Sequence, residues 1–184
     1  MTDLDASRAE LPVTVLLLPD RQGSSTVHWP TRWAHLYGYR VVEQHDWVRP
    51  RRGDWLARLD ETVIDAPGPL VLVAQGLGCI LLAAWATMSR HTERVQAAML
   101  VSPVDMMRPE MKNTLPGWSP VLAKPMPFPS MLVGVHNDPD GGAQGAQSLA
   151  AKWGSRWVDL DDHAAALSGD WPQGHALLQT LLKE

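Results

Sequence analysis

The sequence predicts an α/β fold, an open, doubly wound, mostly parallel sheet of about six strands with helices on both faces. Two observations carry this. Continuous apolar runs rich in branched residues recur along the chain, as strands buried on both faces require. Stretches with helical apolar spacing alternate with those runs, and parallel strands need such crossovers.

Pro12–Leu18 is the first run; it ends at Pro19-Asp20, and the polar loop from Arg21 to Thr26 follows. A helix is expected to begin near His28 or Pro30, and Arg40–Glu43 reads as a short second strand. Gly53–Ile64 carries helical spacing through Leu56, Leu59 and Val63, with Asp54 near its start and Pro67-Gly68-Pro69 as its stop. Leu70–Ala74 is a third strand, and a long helix runs from Leu77 to about Ser89. Val95–Val101 is the fourth strand. Pro103–Pro129 holds seven prolines, so it is expected to be irregular and to lie over the site. Ser130–Val135 and Arg156–Leu160 complete the strands, with helices expected at Gln144–Trp153 and Gln173–Leu182.

At 184 residues the chain is expected to form one domain over its whole length, with residues 1–10 flexible. A net charge of −4 without a Lys/Arg run longer than Arg49-Pro50-Arg51-Arg52 argues against nucleic acid or an anionic membrane as partner. One cysteine, Cys79, and acidic first residues point to the cytoplasm. The uncharged stretch Pro69–Ala86 is long enough to span a membrane, but Gly76 and Gly78 interrupt it where the apolar period changes, so it reads as strand, turn and helix. Most of the nine tryptophans are expected to pack in the core, as are Met106, Met107, Met111 and Trp118. Were those last four exposed together, they would mark a protein-binding patch.

The turn Ala74-Gln75-Gly76-Leu77-Gly78 has the form of a nucleophile elbow with no reacting atom at its centre. Acyl transfer on such a scaffold needs nucleophile, acid and base in that chain order, each after a strand. Asp138 and His163 take the second and third places, and Gly76 leaves the first vacant. Around them, Asp20, Arg21, Ser24, Gln75 and Leu77 would form the oxyanion donors and the pocket. Cys79, Ser24, Ser25 and Ser102 are the other candidate nucleophiles, and none is well placed. Asp159, Asp161, Asp162, His163, His28 and His136 lack metal-ligand spacing, and the loop after the first strand lacks a phosphate-binding glycine pattern. Neither metal nor cofactor is expected.

The chain is similar to the small serine hydrolases of the retinoblastoma-binding-protein-9 and YdeN type. The resemblance runs from Pro19 through the serines to His28-Trp29, then through Gln44–Trp47, Asp54-Trp55, the elbow, Ser102-Pro103, Asn137–Pro139, Trp153–Ser155, Ser168-Gly169 and Trp171-Pro172. It implies an α/β-hydrolase fold with an elbow serine preceded by histidine, and a Gly-His-Ile-Asn segment at the base. Here Gln75 stands for that histidine, Gly76 for the serine, Asp162–Ala165 for the base segment, and Asp20 for a glycine beside the oxyanion loop. The expected function is that of a catalytically impaired serine-hydrolase-like protein, a pseudoenzyme binding a small molecule or a protein. The alternative is an ester hydrolase using His163 with water, or a nucleophile outside the elbow. Retinoblastoma binding is not supported, because no Leu-x-Cys-x-Glu sequence occurs.

Overall fold

The structure, a computed structural model, describes residues 11–21, 28–136, 142–160 and 169–184. Six strands form one sheet: β1 (Thr14–Leu18), β2 (Arg40–Val41), β3 (Leu70–Gln75), β4 (Val95–Val101), β5 (Ser130–Val135) and β6 (Arg156–Leu160). Their order is β2-β1-β3-β4-β5-β6, and every pairing is parallel. The chain therefore reverses its direction of travel across the sheet between β1 and β3, the switch point at which the loops following two neighbouring strands part to opposite faces.

The helices α1 (Trp29–Tyr37), α2 (Arg52–Asp65), α3 (Leu77–Met88), α4 (Pro109–Thr114), α5 (Ala143–Trp153) and α6 (Pro172–Leu181) connect or follow these strands. Side chains alternate along each strand, so the apolar runs feed two cores. Leu16, Leu18, Leu72, Ala74, Leu100 and Leu132 pack under α2, α3 and α5. Val15, Leu17, Val71, Val73, Met99 and Val133 pack with Trp29, Trp33, Trp171 and Leu178 of the α1 and α6 side. Pro69–Ala86 is the expected strand, turn and helix. Among the described residues no helix is long and apolar enough to cross a membrane.

Seven tryptophans are buried, and several use the indole N–H to fix irregular backbone. Trp118 donates to the Pro50 carbonyl at 2.9 Å and Trp153 to that of Leu122 at 2.8 Å. These bonds tie the second half of the proline-rich segment to the turn before α2 and to the end of α5. That segment holds one helix the spacing did not predict, α4, which starts on Pro109 where a missing N–H costs nothing. Met106, Met111 and Trp118 are buried there, while Met107 is 80% exposed, so the four do not form a surface patch. The second strand is shorter than expected: β2 is an edge strand, and Val42 keeps only an N–H bond to Leu17 O.

Candidate functional site

β3 hands over to α3 at a single residue. Gly76 has φ 55° and ψ −118°, a conformation closed to side-chain-bearing residues without strain. Its N–H donates to Val101 O at 3.0 Å, and its carbonyl accepts from Cys79 at 3.1 Å and Val104 at 3.4 Å. Gly78 serves a different purpose. A Cβ there would fall 2.3 Å from Leu18 O, so its absence lets α3 lie flush on the end of β1. The start of α3 and the loop after β1 are thereby brought within hydrogen-bonding distance.

Into that contact β1 delivers Asp20. Its Oδ1 accepts the backbone N–H of Arg21 at 2.8 Å and that of Leu77 at 2.8 Å. Leu77 is the first residue of α3, whose N-terminal N–H groups have no intrahelical partner. Gly76 offers no capping side chain, and the first turn of α3 carries no acid, so a carboxylate from another strand meets the helix dipole. The fit is tight: a Cβ built on Gly76 would lie 2.3 Å from Asp20 Cγ, 2.4 Å from Oδ2 and 2.5 Å from Oδ1. The Asp20 carboxylate thus fills the space in which a side chain at position 76 would begin.

Two backbone N–H groups from two strand-end loops, aimed at one oxygen, form the donor arrangement that stabilises a developing oxyanion in acyl transfer. Here that oxygen belongs to the protein. Arg21, beside it, reaches away, its Nη1 donating to Met111 Sδ at 3.5 Å and joining the β1 loop to α4. Gln75 is half-buried at the end of β3, in register with Val101. Asp138, His163 and Ser24 lie outside the described residues, as do Ser25, Asp161 and Asp162.

Cys79 is fully buried and its thiol donates to Val101 O at 3.4 Å. Ser102 is 6% exposed at the end of β4, with φ 49°. His136 and Asp159, at the ends of neighbouring strands β5 and β6, form an exposed pair with Nε2 and Oδ1 2.7 Å apart. The sequence groups the two only as candidate metal ligands; their pairing follows from the register of β5 and β6. Among the described residues no three His, Cys, Asp or Glu side chains group as metal ligands.

A cavity of about 300 Å³ lies between the proline-rich segment and α5, walled by Val104, Met106, Val121, Ala146 and Leu149. Lys112 and Lys152 also border it. Its nearest link to the elbow is the Val104 N–H bond to the Gly76 carbonyl. A more open polar depression borders the turn after β2, where Asp46 Oδ1 accepts the N–H groups of Val48 and Arg49, each at 2.9 Å. Those two bonds hold the Asp46 carboxyl below the usual range.

The family model described as serine hydrolase matches residues 15–180. A YdeN-like protein of Pectobacterium atrosepticum superposes with TM-score 0.79 at 23% identity, over 97% of this chain and 95% of that one. The ydeN gene product of Bacillus subtilis gives 0.74 at 16% identity, covering 94% of this chain and 100% of that one. A metagenome-derived lipolytic enzyme of the LipS and LipT pair gives 0.71 at 14%, covering 94% of each chain. No curated protein matches in sequence. At these identities the structural neighbours show the α/β-hydrolase fold, and the family match over most of its length shows that the chain belongs to the serine hydrolase family.

Proposed function

We propose that this is a serine-hydrolase-like protein in which acyl transfer from the elbow is lost and which binds a small molecule. The observation that carries the reading is the interlock of Gly76 and Asp20: position 76 offers no nucleophile, and the two N–H groups that would receive a substrate's carbonyl oxygen already hold a carboxylate. Asp138 and His163 keep the acid and base places by chain order, without an elbow hydroxyl to activate. A small ligand is favoured over a protein partner because Met106, Met111 and Trp118 are buried and an apolar cavity stands beside the elbow.

The test is covalent labelling of the native chain with a fluorophosphonate, together with turnover of short p-nitrophenyl esters. Neither labelling nor turnover is expected. Ester hydrolysis by the native chain that disappears in His163→Ala would overturn the reading in favour of water activated by that histidine.

A further inference from the structure

The cavity between the proline-rich segment and α5 is bordered by none of Asp20, Arg21, Gly76 and Leu77, so it is a site separate from the elbow. We infer that it binds a straight-chain monocarboxylate of medium length, the tail inside and the carboxylate at the rim against Lys112 and Lys152. This rests on the proposal that the protein binds a small molecule, and gives that molecule its chemical class.

The shape of the seat comes from one face of α5. Gly142, Gly145, Leu149 and Lys152 all border the cavity, and steps of three or four residues set them in a row along the helix. From Gly142 to Lys152 that row runs about 15 Å, at ~1.5 Å of rise per residue. Two of its members have no side chain, which leaves the groove open at the start of the helix. Val104, Met106 and Val121 supply the apolar wall from the proline-rich segment. The volume is about 300 Å³. At ~30 Å³ for each water-sized group, that holds about ten non-hydrogen atoms, the content of octanoate.

The charges around this apolar space do not balance. Among the described residues Asp105 is the one acid that borders it. Its carboxylate is already engaged: Oδ2 lies 3.5 Å from Arg108 Nε, and Oδ1 accepts the Met107 N–H at 3.0 Å. It also belongs to the glycine end of the row, since a Cβ built on Gly145 would lie 3.8 Å from Asp105 Cγ. Lys112 and Lys152 have no such partner among the described residues. Both are exposed, so each lays its methylene stem along the edge of the cavity and keeps its ammonium at the rim.

Two unpaired cations at the mouth of an apolar cleft select for a ligand with one anionic end. A carboxylate there makes charge-assisted hydrogen bonds to the ammonium groups, while its chain gains the burial that the walls offer. An alcohol of the same length leaves the lysines without a counter-charge. An amine adds a third positive charge beside them.

The experiment measures binding of octanoate, octan-1-ol and octylamine to the full chain by titration calorimetry. Octanoate is expected to bind one per chain and about tenfold tighter than octanol, with octylamine weakest. The double variant Lys112→Met, Lys152→Met should bring octanoate down to the level of octanol. Its two positions are exposed, and an unchanged melting temperature checks that the fold is kept. Val121→Trp, at a half-buried wall position outside any helix or strand, should weaken octanoate and octanol alike. The inference is overturned if octanoate does not bind, if octanol or octylamine binds as tightly, or if either variant holds octanoate as the native chain does. Turnover of p-nitrophenyl octanoate by the native chain would instead sink the loss of acyl transfer, so the two readings fail separately.

Discussion

Restoring a serine at position 76 should fail on its own, because the obstacle is a partner as well as an absence. Gly76→Ser places a Cβ 2.3 Å from Asp20 Cγ in a backbone with φ 55°. The conformation costs a side-chain-bearing residue about 1–3 kcal/mol. Expelling the carboxylate from the Arg21 and Leu77 N–H groups adds about 1.5–3 kcal/mol, the range for hydrogen bonds to a charged group. A loss of about 2.5–6 kcal/mol follows, a large share of the ~5–15 kcal/mol typical of a domain. Asp20→Gly alone should cost about 2–3 kcal/mol through the same two donors.

In the double variant the hydrogen bonds can be lost only once, so its destabilisation should fall short of the sum of the singles by about 2 kcal/mol. Urea unfolding of the four proteins measures this coupling. The fluorophosphonate supplies a second readout: the double variant should be labelled and Gly76→Ser should not. Additivity within about 0.5 kcal/mol would refute the interlock, since residues that do not touch behave that way.

Three further outcomes are expected. Arg94 donates to the carbonyls of Val63 and Ile64 in the last turn of α2 and of Ala66 and Gly68 just beyond it, so Arg94→Met should cost about 2–4 kcal/mol in chemical denaturation by leaving several acceptors unpaired. Gly134→Ala puts a Cβ 2.1 Å from Trp157 Cη2 and should cost about 1–3 kcal/mol, with Trp157→Leu in the same chain recovering part of it. Burial lowers the pKa of His175, whose Nε2 lies 3.0 Å from the Tyr39 hydroxyl. The neutral ring is the folded form, so its contribution is full above the ordinary value of 6.5 and is lost as pH falls through the lower folded value. Melting temperature between neutral and mildly acid pH should therefore drop more steeply in the native chain than in His175→Gln.

The central strands were legible as apolar runs, β3 and β5 buried almost throughout and β4 broken only by the exposed Gln96, and β6 by its alternation of Arg156 and Asp159 with Trp157, Val158 and Leu160. Val95–Val101, Ser130–Val135 and Arg156–Leu160 fall where the sequence places them. Shortfalls occurred where tertiary contacts decide. β1 gives way after Leu18 to Pro19, which has no N–H for a partner strand, so the second strand stops at Val41, and α4 is one short helix among prolines whose loop-forming character dominates the local signal. The bend at Gly76 was legible from its glycine. That Asp20 reaches Leu77 across 57 positions was not, because it depends on β1 and β3 being neighbours and on Gly78 letting α3 approach Leu18. The available signal was an acid appearing in one loop where the facing loop had no side chain.

Those two residues make sense only together. Nine of the twelve residues of α3 are buried, yet its N-terminus has neither a capping side chain nor an acid in its first turn. A helix so placed needs negative charge from outside itself. In an acyl-transfer site that charge appears on the substrate, briefly, and its stabilisation lowers the barrier because it is absent from the ground state. A carboxylate fixed on the same two donors is stabilised all the time, so the donors no longer distinguish ground state from transition state for an incoming acyl group. Gly76 gives Asp20 its room, and Asp20 gives α3 its cap.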